Sequence, residues 1–187
     1  MNIATHFRFL AFLTICPLMA ACSLQQAHIK SPPPEDASLH MVFTAYHEIV
    51  RQAHADHEHS WNNGRIGNML VNLDPDNNRG LCFHWQKRVY LGIQKSLQES
   101  GWRATGIAIN EGGIFEHHAV LIYHPDRNKL DTILKNSDKS SLYVLDPWSS
   151  GEARTYRLTD WLQLPLTTTK PARLTVIDTD PGYPASL

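Results

Sequence analysis

The sequence predicts an α+β domain in which N-terminal helices pack on an antiparallel sheet, and three features indicate this class. Apolar residues recur at helical spacing from Ser38 to about His54, and do so again after Cys82. Short strand-like runs then follow one another without helices between them. Helices followed by a group of strands are typical of the α+β class, whereas a regular alternation would indicate a parallel α/β sheet.

The composition supports one folded domain without a nucleic-acid surface. The chain has 187 residues, of which 42% are apolar and 19% charged, and this balance is not that of a disordered chain. Seventeen basic and 18 acidic side chains give a formal net charge of −1. Nucleic acid requires a basic stripe, so we expect no nucleic-acid partner. No apolar run approaches the roughly 20 residues of a membrane span.

Residues 1–21 are predicted to be a secretory signal peptide. One charged residue, Arg8, precedes an apolar stretch that is too short to form a spanning helix. The pair Ala20-Ala21 directly before Cys22 resembles the lipobox of bacterial lipoproteins. The resemblance implies that Cys22 becomes the lipid-modified first residue of the mature chain. The alternative is an ordinary secretory signal with a chance cysteine.

The same resemblance implies a location and a domain organisation. It places the protein in a Gram-negative envelope, and Ser23 after the cysteine favours the outer membrane, facing the periplasm. Met19 stands where a lipobox usually has leucine. Residues 22–37 contain three consecutive prolines and are predicted to be an extended, lipidated tether that joins the protein to the membrane. Residues 38–187 are predicted to form the domain.

Two helices are expected within the domain. The first, from Ser38 to about His54, has its apolar residues on one stripe. The stretch from His57 to Asn78 is rich in Asn, Gly and Asp and is predicted to be mostly loop. The second helix starts near Cys82 and is expected to stop at Gly101.

Strand-like runs follow the second helix. They are Trp102 to Asn110, His118 to Tyr123, Leu142 to Asp146 and Arg173 to Ile177. The second run is continuously apolar from Ala119, which is typical of a central strand covered on both faces. We expect Ile93 and Leu97 of the second helix to be buried against Val120 and Ile122 of this strand. The polar segment from His124 to Ser141 is predicted to be an exposed excursion.

Three residues whose side chains are suited to catalysis lie at the ends of these elements. If Cys22 is lipidated, Cys82 is the only thiol in the mature domain, and it is either a buried apolar residue or a functional thiol. A helix start favours the thiolate form and offers free N–H groups to an oxyanion. His118 begins the buried strand and Asp146 ends the next one. A cysteine nucleophile, a histidine base and an aspartate that orients the histidine are the parts of a catalytic triad.

In this order, the segments resemble the transglutaminase-like branch of the papain-like cysteine hydrolase superfamily. The resemblance is carried by Gly80-Leu-Cys82, Ser100-Gly101-Trp-Arg-Ala104, His118-Ala-Val120 and Leu145-Asp146-Pro147. It implies a papain-like core with Cys82 as nucleophile, His118 as general base and acid, and Asp146 as orienting acid. It also implies a peptidase, amidase or acyltransferase that acts on a peptide, an isopeptide or a cell-wall amide of peptidoglycan. Nothing in the pattern demands a cofactor.

Different readings of the same residues remain open. Cys82 could be an inert core thiol, and Asp146 could simply begin a turn before a proline. The domain could then be an inactive binding or scaffold lipoprotein on the same fold. His117 is adjacent to His118 and is expected to point to the opposite face of the strand, although a misassignment by one residue would exchange the two.

Two further points stay unsettled by the sequence. The side chain that would help to bind an oxyanion is not fixed, and Trp61, Asn77 and Asn78 are the candidates. The segment His54–His59 has three imidazoles and two carboxylates, which zinc could use. It lacks the helical pair spacing of zinc peptidases, so a solvated helix end is expected rather than a metal site.

Overall fold

The structure is a computed structural model that describes residues 28–113, 115–133, 141–164 and 174–177. The predicted signal peptide 1–21 and the predicted lipidation site Cys22 lie outside the described residues, as does Arg173 at the start of the last predicted strand. Within the described ranges, no helix has the length and apolar character needed to cross a membrane.

Helices dominate the first half of the described chain and strands the second. The first half contains a 3-10 helix (Pro34–Leu39), α1 (His40–His54), β1 (Ser60–Trp61), α2 (Gly64–Leu73), β2 (Asn78–Arg79), α3 (Cys82–Gly92) and α4 (Gln94–Ser100). The second half contains β3 (Arg103–Ile109), β4 (His117–Tyr123), α5 (Leu130–Ile133), β5 (Tyr143–Leu145), β6 (Thr155–Arg157), α6 (Leu158–Trp161) and β7 (Leu174–Ile177). The predicted α+β class is therefore confirmed.

Within the described residues, five strands form one antiparallel sheet in the order β6-β5-β4-β3-β7. The central strand β4 is buried along its whole length, as its apolar sequence predicts. Its register pairs Ala119 with Ile107 of β3 and Val120 with Leu145 of β5. The short strands β1 and β2 form a separate parallel pair.

The main hydrophobic core lies between the sheet and the helices α1, α3 and α4. It contains Ile93 and Leu97, which are 0% and 3% exposed, together with Val120 and Ile122 of β4. The predicted packing of the second helix on this strand is therefore confirmed. A second cluster contains Trp161 of α6 and the β4 residues on the other face of the sheet, Ala119, Leu121 and Tyr123. Because the two clusters cover both faces of β4, no residue of this strand is exposed to solvent.

Truncating Leu97 to alanine should lower the free energy of unfolding by about 2–5 kcal/mol, because the lost side chain leaves a cavity in the core. Denaturant unfolding measures the change. Leu91→Ala is the matched control, since Leu91 belongs to the same helical region but is 47% exposed. A Leu97→Ala effect as small as the Leu91→Ala effect would contradict the placement of this helix face.

The predicted second helix is divided into two. Ile93 lies between α3 and α4 with φ −89° and ψ −3°. Gly101 ends α4 in the left-handed conformation, with φ +77°, as expected for a helix stop. The prediction of a helix that ends at Gly101 is confirmed, but its continuity from Cys82 is not.

Two segments predicted to be loop-like contain helices. Within His57 to Asn78, residues 64–73 form α2, which the many Asn and Gly residues conceal. Within the predicted excursion from His124 to Ser141, α5 forms and Ile133 is fully buried. Composition alone therefore underestimates the regular structure of polar segments.

The described part of the predicted tether belongs to the fold. The backbone N–H of Ile29 donates to the carbonyl of Thr155 at 2.6 Å, and its side chain packs on the core. Asp36 is 2% exposed, and its carboxylate is bound by Arg127 and by the hydroxyl of Tyr143. From residue 28 onward the segment is thus a strap across the domain rather than a free spacer.

Candidate active site

Cys82 is the first residue of α3, as the sequence predicts, and is 8% exposed. Gly80 approaches the chain before α2 so closely that a Cβ atom there would lie 2.3 Å from the carbonyl oxygen of Asn62. Gly80 also has φ +134°, so glycine is required on both grounds. In the part of the chain that the structure describes, no side chain caps the start of α3. The first-turn N–H groups, including that of Cys82, are therefore not occupied by a cap.

Asp146 directly follows β5 and is fully buried. Its Oδ2 accepts hydrogen bonds from Nε2 of His117 at 2.7 Å and from the indole Nε1 of Trp161 at 2.8 Å. Its Oδ1 accepts the backbone N–H of Trp148 at 3.1 Å. Three donors thus fix the carboxylate and direct one of its oxygens at the imidazole.

The His117–Asp146 pair is charged despite its burial. Burial alone would lower the pKa of His117, but the charge and hydrogen bond of Asp146, with a contribution from Cys82, raise that pKa to about 10. Burial would raise the pKa of Asp146, but His117 and the other two donors lower it. The rings of Trp148 and Trp161 lie 4.6 and 5.6 Å from the His117 ring and cover the pair.

The second ring nitrogen of His117, Nδ1, is not used in a hydrogen bond to the described residues, although it is buried. Because Nε2 is bound to Asp146, Nδ1 is the nitrogen left for Cys82, whose interaction with His117 contributes to the raised pKa of the imidazole. Buried polar atoms without partners are rare and need an explanation. Asp146 and Cys82 thus both interact with the His117 imidazole, Asp146 through a hydrogen bond and Cys82 without one among the described residues.

His118 lies outside this arrangement, contrary to the sequence-based expectation. Its Nε2 contacts the carboxylate of Glu116, and its Nδ1 lies 3.4 Å from Oε1 of Gln86. The adjacent histidines point to opposite faces of β4, as expected. However, the one on the face of Asp146 is His117 rather than His118. The geometric assignment of His118 to the site is therefore corrected to His117.

Strand register explains the exchange of the two histidines. Val120 pairs with Leu145, so Asp146 is level with Ala119 and shares a face with the odd-numbered residues of β4. The period of two in a strand sequence shows that neighbours alternate, but it does not show which face meets the partner strand. Both histidines are buried, at 2% and 7% exposure, so burial does not distinguish them either.

Gln86 is a buried polar residue that the sequence analysis does not single out. Its amide donates to the carbonyls of Ile107 at 3.0 Å and Ala119 at 2.6 Å. Gln86 lies one helical turn after Cys82, and Ala119 lies two residues after His117 on β4. The side chain therefore braces the helix of the thiol against the strand of the imidazole. Its spacing of four residues from Cys82 is the signal that could indicate it.

The three candidate side chains for an oxyanion hole are bonded elsewhere. Nε1 of Trp61 donates to Asp56 at 3.0 Å. The amide of Asn77 contacts the Asp74 carboxylate at 3.1 and 3.2 Å, and that of Asn78 donates to the Asp74 carbonyl at 3.0 Å. The uncapped backbone N–H groups at the start of α3 remain as donors for an oxyanion.

The segment His54–His59 does not converge on a point. Nε2 of His54 contacts the carbonyl of Gly151 at 2.7 Å, whereas Nε2 of His59 lies 2.8 Å from the guanidinium of Arg79. Among the described residues, no group of three or more His, Cys, Asp or Glu side chains is arranged to hold a metal ion.

No family model matches this chain, and neither a curated protein nor a solved structure gives a significant match to it. What the site can do is therefore derived from its own residues, because a fold alone does not define a function. A thiol at a helix start, an imidazole with an available nitrogen and a buried carboxylate are the groups that nucleophilic acyl transfer requires.

Proposed function

We propose that this chain is a lipid-anchored protein of a Gram-negative envelope, facing the periplasm, whose papain-like domain transfers acyl groups. Cys82 is the nucleophile, His117 the base and acid, and Asp146 the orienting group. The observation that carries the proposal is the hydrogen bond from Nε2 of His117 to Asp146, with Nδ1 left without a partner among the described residues and Cys82 contributing to the raised pKa of the imidazole. A purely structural buried imidazole would be expected to have both nitrogens paired.

The reaction begins with an ion pair of the Cys82 thiolate and the His117 imidazolium. The sulfur attacks the carbonyl carbon of an amide or ester, and N–H groups at the start of α3 stabilise the oxyanion. As the C–N or C–O bond breaks, Nδ1 of His117 gives its proton to the leaving amine or alcohol, and a thioester remains on Cys82. Water or an amine then attacks the thioester and gives a proton to His117. Release of the acid or new amide restores the ion pair, which Asp146 stabilises throughout.

The substrate class follows from the chemistry and from the proposed location. A peptide, an isopeptide or a cell-wall stem peptide offers the amide carbonyl that the thiolate attacks. Hydrolysis and transfer share the thioester and differ only in whether water or an amine resolves it. No cofactor takes part in any step.

An inactive binding or scaffold lipoprotein on the same fold is the second candidate. Two observations favour it: the candidate oxyanion side chains are engaged elsewhere, and Cys82 is 8% exposed. In that case Cys82 would be a core thiol and the paired imidazole and carboxylate would serve stability.

Reaction with p-nitrophenyl acetate separates the two candidates. The acyltransferase should release a burst of nitrophenol and carry one acetyl group on Cys82, detected by mass spectrometry after acid quenching. Cys82→Ala should abolish the burst, and His118→Gln, the control, should retain it. Absence of acetylated Cys82 in the folded protein would favour the scaffold.

The anchor is tested separately by labelling with palmitate. Cys22→Ala should prevent incorporation of the label and release the protein from membranes after alkaline carbonate extraction, because the attached chains supply the hydrophobic anchor. Cys16→Ala is the matched control and should be labelled normally. Retention of Cys22→Ala in extracted membranes would contradict the lipoprotein assignment.

A further inference from the structure

Helix α2 turns its large apolar side chains outward. Ile66, Met69 and Leu73 are 71%, 56% and 74% exposed. Their spacing of three and then four residues places them on one stripe, here called the α2 stripe. The buried residues of the same helix are Gly67 and Val71. A surface helix normally has the reverse arrangement, so the α2 stripe has the character of a surface for a partner.

The position of α2 is fixed by the loop that carries Asp146. The backbone N–H of Gly64 donates to the carbonyl of Trp148 at 2.7 Å, and the indole of Trp148 donates to Oδ1 of Asn68 at 3.1 Å. The same Trp148 ring packs on His117. A partner on the α2 stripe would therefore lie beside the candidate active site.

The proposed lipid anchor lies within reach of α2. Ile29 is bonded to Thr155, which follows Gly151 by four residues, a chain length of at most about 14 Å. A Cβ atom at Gly151 would lie 3.2 Å from Oδ1 of Asn63, the residue before α2. Ile29 is therefore within about 30 Å of the start of α2. Cys22 precedes Ile29 by seven residues, which extend to about 25 Å at most.

We propose that the α2 stripe docks on the surface of the lipid bilayer. This inference rests on the proposed anchor at Cys22 and not on the proposed catalysis. So short a connection keeps the folded domain next to the bilayer, where an amphipathic helix can bury its apolar side in the interface. The exposed Arg65 flanks the stripe and is suited to anionic headgroups. The domain is then held at two points, the lipid and α2, with the active site close to the membrane surface.

Vesicle sedimentation tests the docking of α2 in a protein that lacks the covalent lipid anchor at Cys22. The chain from Ser23 onward keeps every described residue and lacks the leader and Cys22. It should sediment with vesicles of phosphatidylethanolamine and phosphatidylglycerol. Ile66→Ser with Leu73→Ser should lower the partition coefficient about tenfold or more, because apolar area no longer leaves water. Met41→Ser, at an exposed apolar position of α1, is the matched control and should bind like the wild type.

The outcomes separate this proposal from the others. Wild-type protein that does not sediment, or a double variant that sediments equally, overturns membrane docking. A wild-type dimer that the double variant dissociates, without vesicle binding, overturns it in favour of a second copy. A raised KM for a peptide without a loss of vesicle binding overturns it in favour of a substrate surface. Acetylation of Cys82 and palmitate labelling of Cys22, measured in parallel, report separately on the catalytic site and the anchor.

Discussion

Iodoacetamide will alkylate Cys82 roughly 10 to 30 times faster at pH 7 in the folded protein than in the denatured protein. An unperturbed thiol is only a few per cent thiolate at neutral pH, whereas pairing with an imidazolium favours the reactive anion. His117→Gln should remove most of this enhancement. The same variant should lower the rate of thioester formation by about 100- to 10,000-fold, since the leaving group loses its acid. Mass spectrometry of quenched samples measures both rates.

His118→Gln is the control for this experiment, because it alters the neighbouring residue without touching Asp146. Its alkylation rate should stay within about twofold of the wild type, since glutamine keeps a polar group near Gln86 and Glu116. Equal losses in the two variants would show that neither histidine acts specifically. A loss confined to His118→Gln would return the base to the residue that the sequence pattern predicts.

The free energy of unfolding should fall as the pH rises from about 7 to about 10. Folding raises the pKa of His117 from the ordinary 6.5 to about 10, so the folded state binds this proton more tightly than the unfolded state. The resulting stability is fully present below about pH 6.5 and is lost as the pH passes through the folded pKa. At about 1.4 kcal/mol per pKa unit, the full loss is on the order of 5 kcal/mol. Denaturant unfolding at a series of pH values measures it.

Asp146→Asn should remove most of this alkaline slope and lower stability at neutral pH by about 3–5 kcal/mol, because it leaves a buried imidazole without its counter-charge. Asparagine also has one acceptor oxygen where three donors now converge. Asp160→Asn, next to Trp161 on α6, is the matched control and should keep the slope. An unchanged slope in Asp146→Asn would show that the pair does not govern this pH dependence.

Much of the fold could be predicted because local signals agree with the tertiary packing. The apolar residues at helical spacing after Cys82 include Ile93 and Leu97, which are buried, and the apolar run after His118 marks the central strand. The α+β class follows from their order. Helix α2 could not be predicted in the same way, because its apolar residues face outward and its packed side has small residues such as Gly67.

The site was predictable only in part, because its geometry depends on contacts between distant segments. Cys82 and Asp146 mark the ends of elements and are visible in the sequence. The choice of His117 depends on the register of β4 and β5, which a single strand sequence does not encode. Trp161 donates to Asp146 from fifteen residues further along the chain, and no motif announces it.

The strap from Ile29 to Asp36 has a mechanical consequence. Tension applied to the N-terminal end acts first on the hydrogen bond between Ile29 and Thr155. It acts next on the hydrogen bonds that Arg127 and Tyr143 donate to Asp36. Thr155 begins the edge strand β6, and the preceding carbonyl, that of Arg154, accepts the backbone N–H of Asp146 at 3.0 Å. A force on the tether therefore acts on the edge strand before it acts on α1. Thr155 is adjacent to Arg154, whose carbonyl holds the backbone of Asp146, so the force is applied next to the carboxylate of the candidate site.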